Sequence, residues 1–171
     1  MRKAWSRWLT WAILFSASLA LAAGSLQLEL KSFKVIKVED KEGKIVERLI
    51  PAAEVKPGDI LEWVLTAENV GKDPLKQVAL TIPIPPNTIY VKGTARPLEL
   101  EGGVKVLPLF SYDGVHFSRP PLKKIIKVRE GDHEVTKEVI VPPEEYTHVR
   151  WVVPQLNPGQ KVKVSLRTKV R

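Results

Sequence analysis

The sequence predicts an all-β protein, a sandwich or barrel of antiparallel strands. Three observations carry this. Apolar residues recur at every second position in several segments, Gly and Pro turn signals separate those segments, and no segment after the first 23 residues keeps a 3.6-residue apolar period beyond about two turns. The 171 residues, 44% hydrophobic and 27% charged, suit one globular domain behind a targeting segment. The absence of Cys excludes disulfides, thiolate catalysis, iron–sulfur clusters and cysteine zinc sites.

Residues 1–22 read as a secretory signal. Arg2, Lys3 and Arg7 make a positive start, Trp8 to Leu19 an uncharged apolar stretch, and Ala20-Leu21-Ala22 a small-x-small cleavage site. The uncharged run from Trp8 to Ala23 is shorter than the ~20 residues that cross a hydrocarbon core. If the segment is not cleaved, it is the expected membrane contact, with Trp5, Trp8 and Trp11 suited to the interface. Cleavage after Ala22 leaves 24 basic against 19 acidic side chains in a domain over 25–171.

Leu26, Leu28 and Leu30 open that domain with period two, and Phe33, Val35 and Val38 continue it less regularly. Lys41-Glu42-Gly43-Lys44 is a turn toward Ile45 and Val46, because Gly takes the positive φ that tight hairpins need. Leu61, Trp63, Leu65 and Ala67 share one strand face against Glu62, Thr66 and Glu68, and Val78, Leu80, Ile82 and Ile84 repeat the pattern. Pro85-Pro86-Asn87 and Pro142-Pro143 stop strands for want of an amide donor. Tyr112-Asp113-Gly114-Val115 predicts a two-residue hairpin joining Leu109 to Tyr112 with Val115 to Ser118. Glu130-Gly131-Asp132 predicts a second, between Ile125 to Val128 and Val135 to Val141. Val162, Val164, Leu166, Thr168 and Val170 alternate with Lys161, Lys163, Ser165, Arg167, Lys169 and Arg171, a half-buried strand with a basic outer face.

Several of these pieces occur in a familiar order. Val55-Lys56-Pro57-Gly58-Asp59 leads into the alternating strand with Trp63 and the exit Asn69-Val70-Gly71; then come Ile84-Pro85, Tyr90-Val91-Lys92-Gly93-Thr94, Arg150-Trp151 and Leu156-Asn157-Pro158-Gly159-Gln160. In this order they resemble the conserved repeat domain of unknown function numbered 11, found in bacterial surface proteins. The resemblance covers 55–94 and 146–170 and carries the pattern once. It implies an immunoglobulin-like antiparallel β-sandwich, export to the envelope, and a spacer or adhesive role with no known catalytic residues. The stretch from about 97 to 145 exceeds what a ~100-residue immunoglobulin-like domain requires. It is expected to add hairpins at one end or edge of the sandwich, and to carry whatever recognition is peculiar to this chain.

Chemistry-bearing constellations are sparse. His116, His133 and His148 are 17 and 15 residues apart, which matches no local metal-ligand spacing. Asp113 and His116 with Ser111 or Ser118 offer the elements of a triad, but the Asp113-Gly114 turn places the Asp at a solvent-exposed tip instead of a buried orienting position. Glu130, Asp132 and Glu134 lack the spacing of a calcium loop. No catalytic residue, metal or cofactor is therefore expected, and a hydrolase with an unrecognised site is the remote alternative.

Two basic groups stand out as a possible interaction surface: Lys123, Lys124, Lys127 and Arg129, and Lys161, Lys163, Arg167 and Lys169 on the last strand. Acidic residues at 62, 68, 134 and 138 are expected to break up their field. Aromatic residues do not interleave with these charges, so nucleic acid is not an expected partner. Tyr112, Asp113 and Gly114, and Glu130, Gly131 and Asp132, are the expected recognition loops. Trp63 and Trp151 are expected in the core, whereas Tyr90, Tyr112, Phe117 and Tyr146 lie near turns where a sugar-stacking platform would be placed. The expected protein is an exported, non-catalytic structural or protein-interaction module, periplasmic, on the cell surface or extracellular. Its expected partner is an envelope protein or a cell-wall or surface glycan, with binding of acidic glycans through the basic strand faces as the alternative function.

Overall fold

The computed structural model describes residues 24–171; the expected signal segment lies outside the described residues. Strands β1 (Leu26–Glu39), β2 (Ile45–Pro51), β3 (Ile60–Asn69), β5 (Thr88–Tyr90) and β12 (Lys161–Val170) form one sheet in the order β2-β1-β3-β12-β5. Strands β4 (Leu75–Pro83), β8 (Leu109–Ser111) and β11 (His148–Leu156) form a second, ordered β4-β11-β8. Every pairing is antiparallel, and the two sheets enclose one core, so the protein is an all-β antiparallel sandwich. Short pairs, β6 (Leu98–Glu99) with β7 (Lys105–Val106), and β9 (Lys123–Glu130) with β10 (His133–Ile140), complete the strands among the described residues.

Period-two sequence becomes two-faced strand. In β3 the inward Leu61, Leu65, Ala67 and Asn69 are buried, and in β12 Val162, Val164, Leu166 and Thr168 are buried while Lys161, Lys163 and Lys169 point to solvent. The opposing layer contributes Leu80, Ile82, Val149, Trp151, Val153 and Leu156. Trp151 is fully buried and its indole N–H donates to the Arg96 carbonyl at 2.9 Å. Trp63 is only partly buried, packs against the core, and donates to Thr168 Oγ1 at 3.0 Å. Both indoles thus bury their apolar body and keep their one polar atom paired.

At one end of the sandwich Tyr90, Phe110 and Tyr146 pack with ring centroids 5.2 to 6.0 Å apart. Tyr90 and Tyr146 are therefore core residues and not a platform for sugar: Tyr90 is the last residue of β5, laddered to Thr168, Tyr146 follows the short turn at 143–145, and both rings are buried. Burial, with smaller contributions from Tyr90 and Glu144, raises the Tyr146 pKa.

The other end is tied by Asn69, which is fully buried. Its Nδ2 donates to the carbonyls of Asp73 and Leu156, each at 2.8 Å, and its Oδ1 accepts the Gly71 amide at 3.0 Å. Its backbone bonds Gln160 and Gly159. Side chain and backbone together, this one residue joins the β3–β4 connection, the last residue of β11 and the turn into β12.

A paired irregularity runs through the second sheet. Pro154 cannot donate to the ladder, and opposite it Gln77 adopts φ 52°, so pairing passes from Val153–Val78 to Gln155–Lys76 across a break. Beyond the break Leu75 and Leu156 turn inward, which the strict alternation from Val78 onward would not give.

The insert over 97–145 departs from expectation in one respect. It is not only an extension, because Val106, Phe110, Leu122 and Val141 are buried core residues and β8 belongs to the second sheet through its pairing with β11. The expected two-residue hairpin at Asp113-Gly114 is also replaced. Only Phe110 and Ser118 bridge, and residues 112–117 make a wider loop organised by the Asp113 carboxylate. The second expected hairpin forms as β9–β10, closed by Gly131 at φ 63° and Asp132.

The first sheet is wider than the second. β4 is an edge strand with no pairing on the side away from β11, and β1 and β2 continue past it. Leu28 and Leu30 pair with Ala67 and Leu65, which fixes them on the inward face, yet they are 52% and 43% exposed while their partners are buried.

Candidate functional site

The β9–β10 ribbon projects from the body. Its strands pack on one another and on no other strand to any extent, and eight residues per strand give it a length of roughly 27 Å at ~3.4 Å per residue. One face carries Ile126, Val128, Val135 and Val139; the other carries Ile125 and Ile140, 74% and 65% exposed. Ion pairs line it: Lys123 with Glu138 at 2.7 Å, Lys127 with Glu134 at 3.6 Å, and Lys137 with Glu130, while Lys124 at its base meets Glu145. At the tip, Glu130, Gly131 and Asp132 are exposed.

The outer face of the wide sheet shows the same neutralisation. Lys161 pairs with Glu68 at 2.9 Å, and Arg167 lies between Glu47 at 2.8 Å and Glu62 at 3.5 Å. Of the eight cations singled out in the sequence, Lys123, Lys124, Lys127, Lys161 and Arg167 are thus ion-paired, and Arg129, Lys163 and Lys169 are not among the described residues' pairs. The ribbon and the last strand belong to different elements with no sheet in common, so the two basic groups do not merge into one stripe. Between Lys163 and the β1–β2 side lies a shallow depression of about 570 Å³ floored by Phe33 and Val64 and rimmed by Lys31, Glu29 and Glu62. Its charges are mixed.

The Asp113 loop lies against the outer side of the second sheet. Asp113 Oδ1 accepts the amides of Val115 and His116, each at 2.8 Å, and the hydroxyl of buried Ser111 at 2.9 Å. His116 Nδ1 donates to Oδ2 at 2.7 Å. The His116 ring first, and then the two amides, hold the Asp113 carboxyl well below the usual carboxylate range. This is loop architecture: the His116 side chain is 85% exposed and open to bulk water, and Ser111 is spent on the Gly114 amide at 2.8 Å. A triad needs the reverse, a buried carboxylate and a hydroxyl left free to attack.

Around this loop sit residues that sequence reasoning did not connect. Arg150 stacks on Phe117 at 3.7 Å and donates to Thr81 Oγ1 at 2.9 Å, and Phe117 meets His148 edge-on at 6.4 Å. Gly114 lies so close that an added Cβ would stand 3.0 Å from the His148 ring. Tyr112 is partly buried against the core, so of the first expected recognition loop only Asp113 stays exposed. Among the described residues no group of His, Asp and Glu has the arrangement to hold a metal ion, and His116, His133 and His148 do not converge. Leu28 and Leu30 also escaped notice as candidates, because their alternation is that of any core strand and no local signal reports where the opposing sheet ends. Comparison with known proteins finds no family model, no curated protein and no solved structure that matches the chain.

Proposed function

We propose that this protein is an exported, non-catalytic interaction module of the cell envelope, related to the conserved repeat domains that its motifs resemble. The observation that carries this reading is the β9–β10 ribbon. It holds an ordered, self-neutralised pair of strands away from the core and presents Ile125 and Ile140 to solvent at its base. Apolar side chains displayed on a rigid projection are covered to advantage by a partner, and added elements on a sandwich scaffold commonly carry recognition. The use of Asp113, His116 and Ser111 to brace a loop agrees with a binding role, as does the mutual neutralisation of most cations, which disfavours retention of acidic glycans by charge alone.

The test is crosslinking in envelope extracts with the native chain and with a variant that lacks Glu130 to Glu134 and carries Ile125→Thr and Ile140→Thr. The shortened ribbon is expected to unfold at the same midpoint and to recover a reproducible neighbour in much lower yield. Equal yield would place recognition elsewhere, and a lone monomer in repeated extracts would overturn the module reading. Charge reversal at Lys163 and Arg167 is expected to leave the neighbour's yield unchanged; its loss, together with steep salt sensitivity, would instead select the glycan reading.

A further inference from the structure

We infer that the free edge of β4, together with the uncovered inner face of β1, is a docking groove for one extended strand of a partner protein, apolar in one alternation and acidic in the other. This rests on the interaction-module reading but concerns a different surface from the ribbon. Strands within a sheet lie ~4.8 Å apart and facing sheets ~10 Å apart, so a strand added beside β4 stands directly above β1. Leu28 and Leu30, 52% and 43% exposed, are what its inward side chains would meet. Levels agree as well: Asn69 Nδ2 to Leu156 carbonyl fixes the ends of the two sheets in register, and from there the ladders place Leu28 and Leu30 alongside the β4 segment that begins after Gln77. Past the Gln77 irregularity and before Pro83, residues Val78 to Ile82 are regular strand with an unpaired edge. Edges are normally protected, and here the protection is confined to the two ends. A five- to six-residue addition is what the middle accommodates.

Charge selects the occupant. The inward positions of β1 and β2 and the whole of β4 carry no carboxylate, but they carry Lys34, Arg48 and Lys76. Lys34 is already paired with Asp59 at 2.7 Å, whereas Arg48 and Lys76 have no ion pair among the described residues. Lys76 lies on the outer face of β4, beside the outward alternation of an added strand, so a strand with acidic residues in that alternation is matched to it. A second copy of this chain is a poorer occupant. Pairing β4 with its symmetry mate would bring that copy's β3 and β12 into the space held by β1 and β2, because the first sheet overhangs the second by two strands. The width suits a single strand.

The experiment uses the full chain and a synthetic nine-residue peptide, Glu-Val-Glu-Leu-Thr-Leu-Glu-Val-Glu, with a version in which Lys replaces Glu. Binding is followed by fluorescence anisotropy and by amide exchange. The acidic peptide is expected to bind and to slow exchange within residues 78–82. Leu28→Thr with Leu30→Thr is expected to weaken it about tenfold or more, since two leucines lose their buried area. Lys76→Glu is expected to weaken it about fivefold, and the Lys peptide to bind correspondingly worse. No binding, or binding that leaves residues 78–82 unprotected and ignores Leu28 and Leu30, overturns the inference. So does a concentration-dependent dimer, or prior protection of 78–82 that is lost on removing residues 1–23, because then the groove serves a second copy or the chain's own start. Peptide binding without any envelope neighbour would leave the groove standing and remove the module reading; a neighbour captured by a chain that binds no peptide would do the opposite.

Discussion

Replacing Asn69 by Ala removes three side-chain hydrogen bonds made by a fully buried residue. The amide of Gly71 loses its acceptor and the carbonyls of Asp73 and Leu156 lose a donor. Each such bond contributes about 1 kcal/mol net, and buried groups left without partners cost more, so a loss of about 3–5 kcal/mol is expected. For a domain of this size that lowers Tm by about 10 °C or somewhat more. Asn69→Asp is nearly isosteric but should be worse at neutral pH, because a carboxylate then faces two carbonyl oxygens with no hydrogen to offer. Folding disfavours that charged form, so the Asp pKa in the fold rises above its unfolded value of about 3.9. The variant is therefore expected to regain stability as pH falls toward 4 and to lose it as pH rises through the elevated folded pKa. Urea unfolding of the native chain and both variants at pH 7 and pH 4 reads all of this. A cost below about 1 kcal/mol for the Ala variant, or an Asp variant insensitive to pH, would show that Asn69 does not hold the three connections together.

Trp151→Phe keeps most of the buried ring but leaves the Arg96 carbonyl unpaired and a gap beside it; a loss of about 2–3 kcal/mol in chemical unfolding is expected, with little effect predicted only if water replaces the indole N–H. Gly71→Ala puts a Cβ 2.5 Å from the Ser25 Cβ and 3.3 Å from its Cα, so Ser25 has to move and the 2.6 Å bond from the Val70 amide to the Ser25 carbonyl should weaken. Faster exchange of the Val70 amide, with about 1–3 kcal/mol lost, is the expected reading. Because the Asp113 carboxyl is depressed, its bracing of the 111–118 loop should persist from neutral pH down past 4 and fail only as pH drops through that low folded value. Nuclear magnetic resonance of the Val115 and His116 amides should follow this titration, and Asp113→Ala should abolish it.

Local chemistry was the legible part. The strands over 60–69 and 161–170 announce themselves because each is half-buried along its whole length, so alternation and burial coincide. The Gly131 hairpin is equally local, since its turn alone fixes the register of Val128 against Val135. What the sequence did not disclose depends on elements far apart in the chain. Tyr90 and Tyr146 look like turn residues until they stack on one another and Phe110 packs against both. Asn69 looks like part of a turn motif, and its role as a three-way tie exists only once Leu156, 87 residues away, is brought to it. The paired break at Gln77 and Pro154 has the same character, a Pro tolerated because the opposite residue leaves the ladder with it. Leu28 and Leu30 alternate as any half-buried strand does, and nothing nearby in sequence counts the strands of the other sheet.

The place of β12 has a bearing on how the molecule comes together in time. The strand formed by residues 161–170 sits between β3 and β5, so the wide sheet has a missing rung until that stretch arrives. A chain emerging from its amino end can zip β1 and β2 early, since Lys41 to Lys44 is a short local loop, and can lay β3 beside β1. It then waits through about ninety residues with one side of β3 open. Closing loops of that length is slow relative to hairpin formation, and all-β topologies of this kind fold in milliseconds to seconds. The consequence is a late, single closing event, in which Val162, Val164 and Leu166 seal the core at once. A chain that has not yet placed residues 161–170 leaves one side of β3 unpaired, a hazard where other unpaired strands are close at hand.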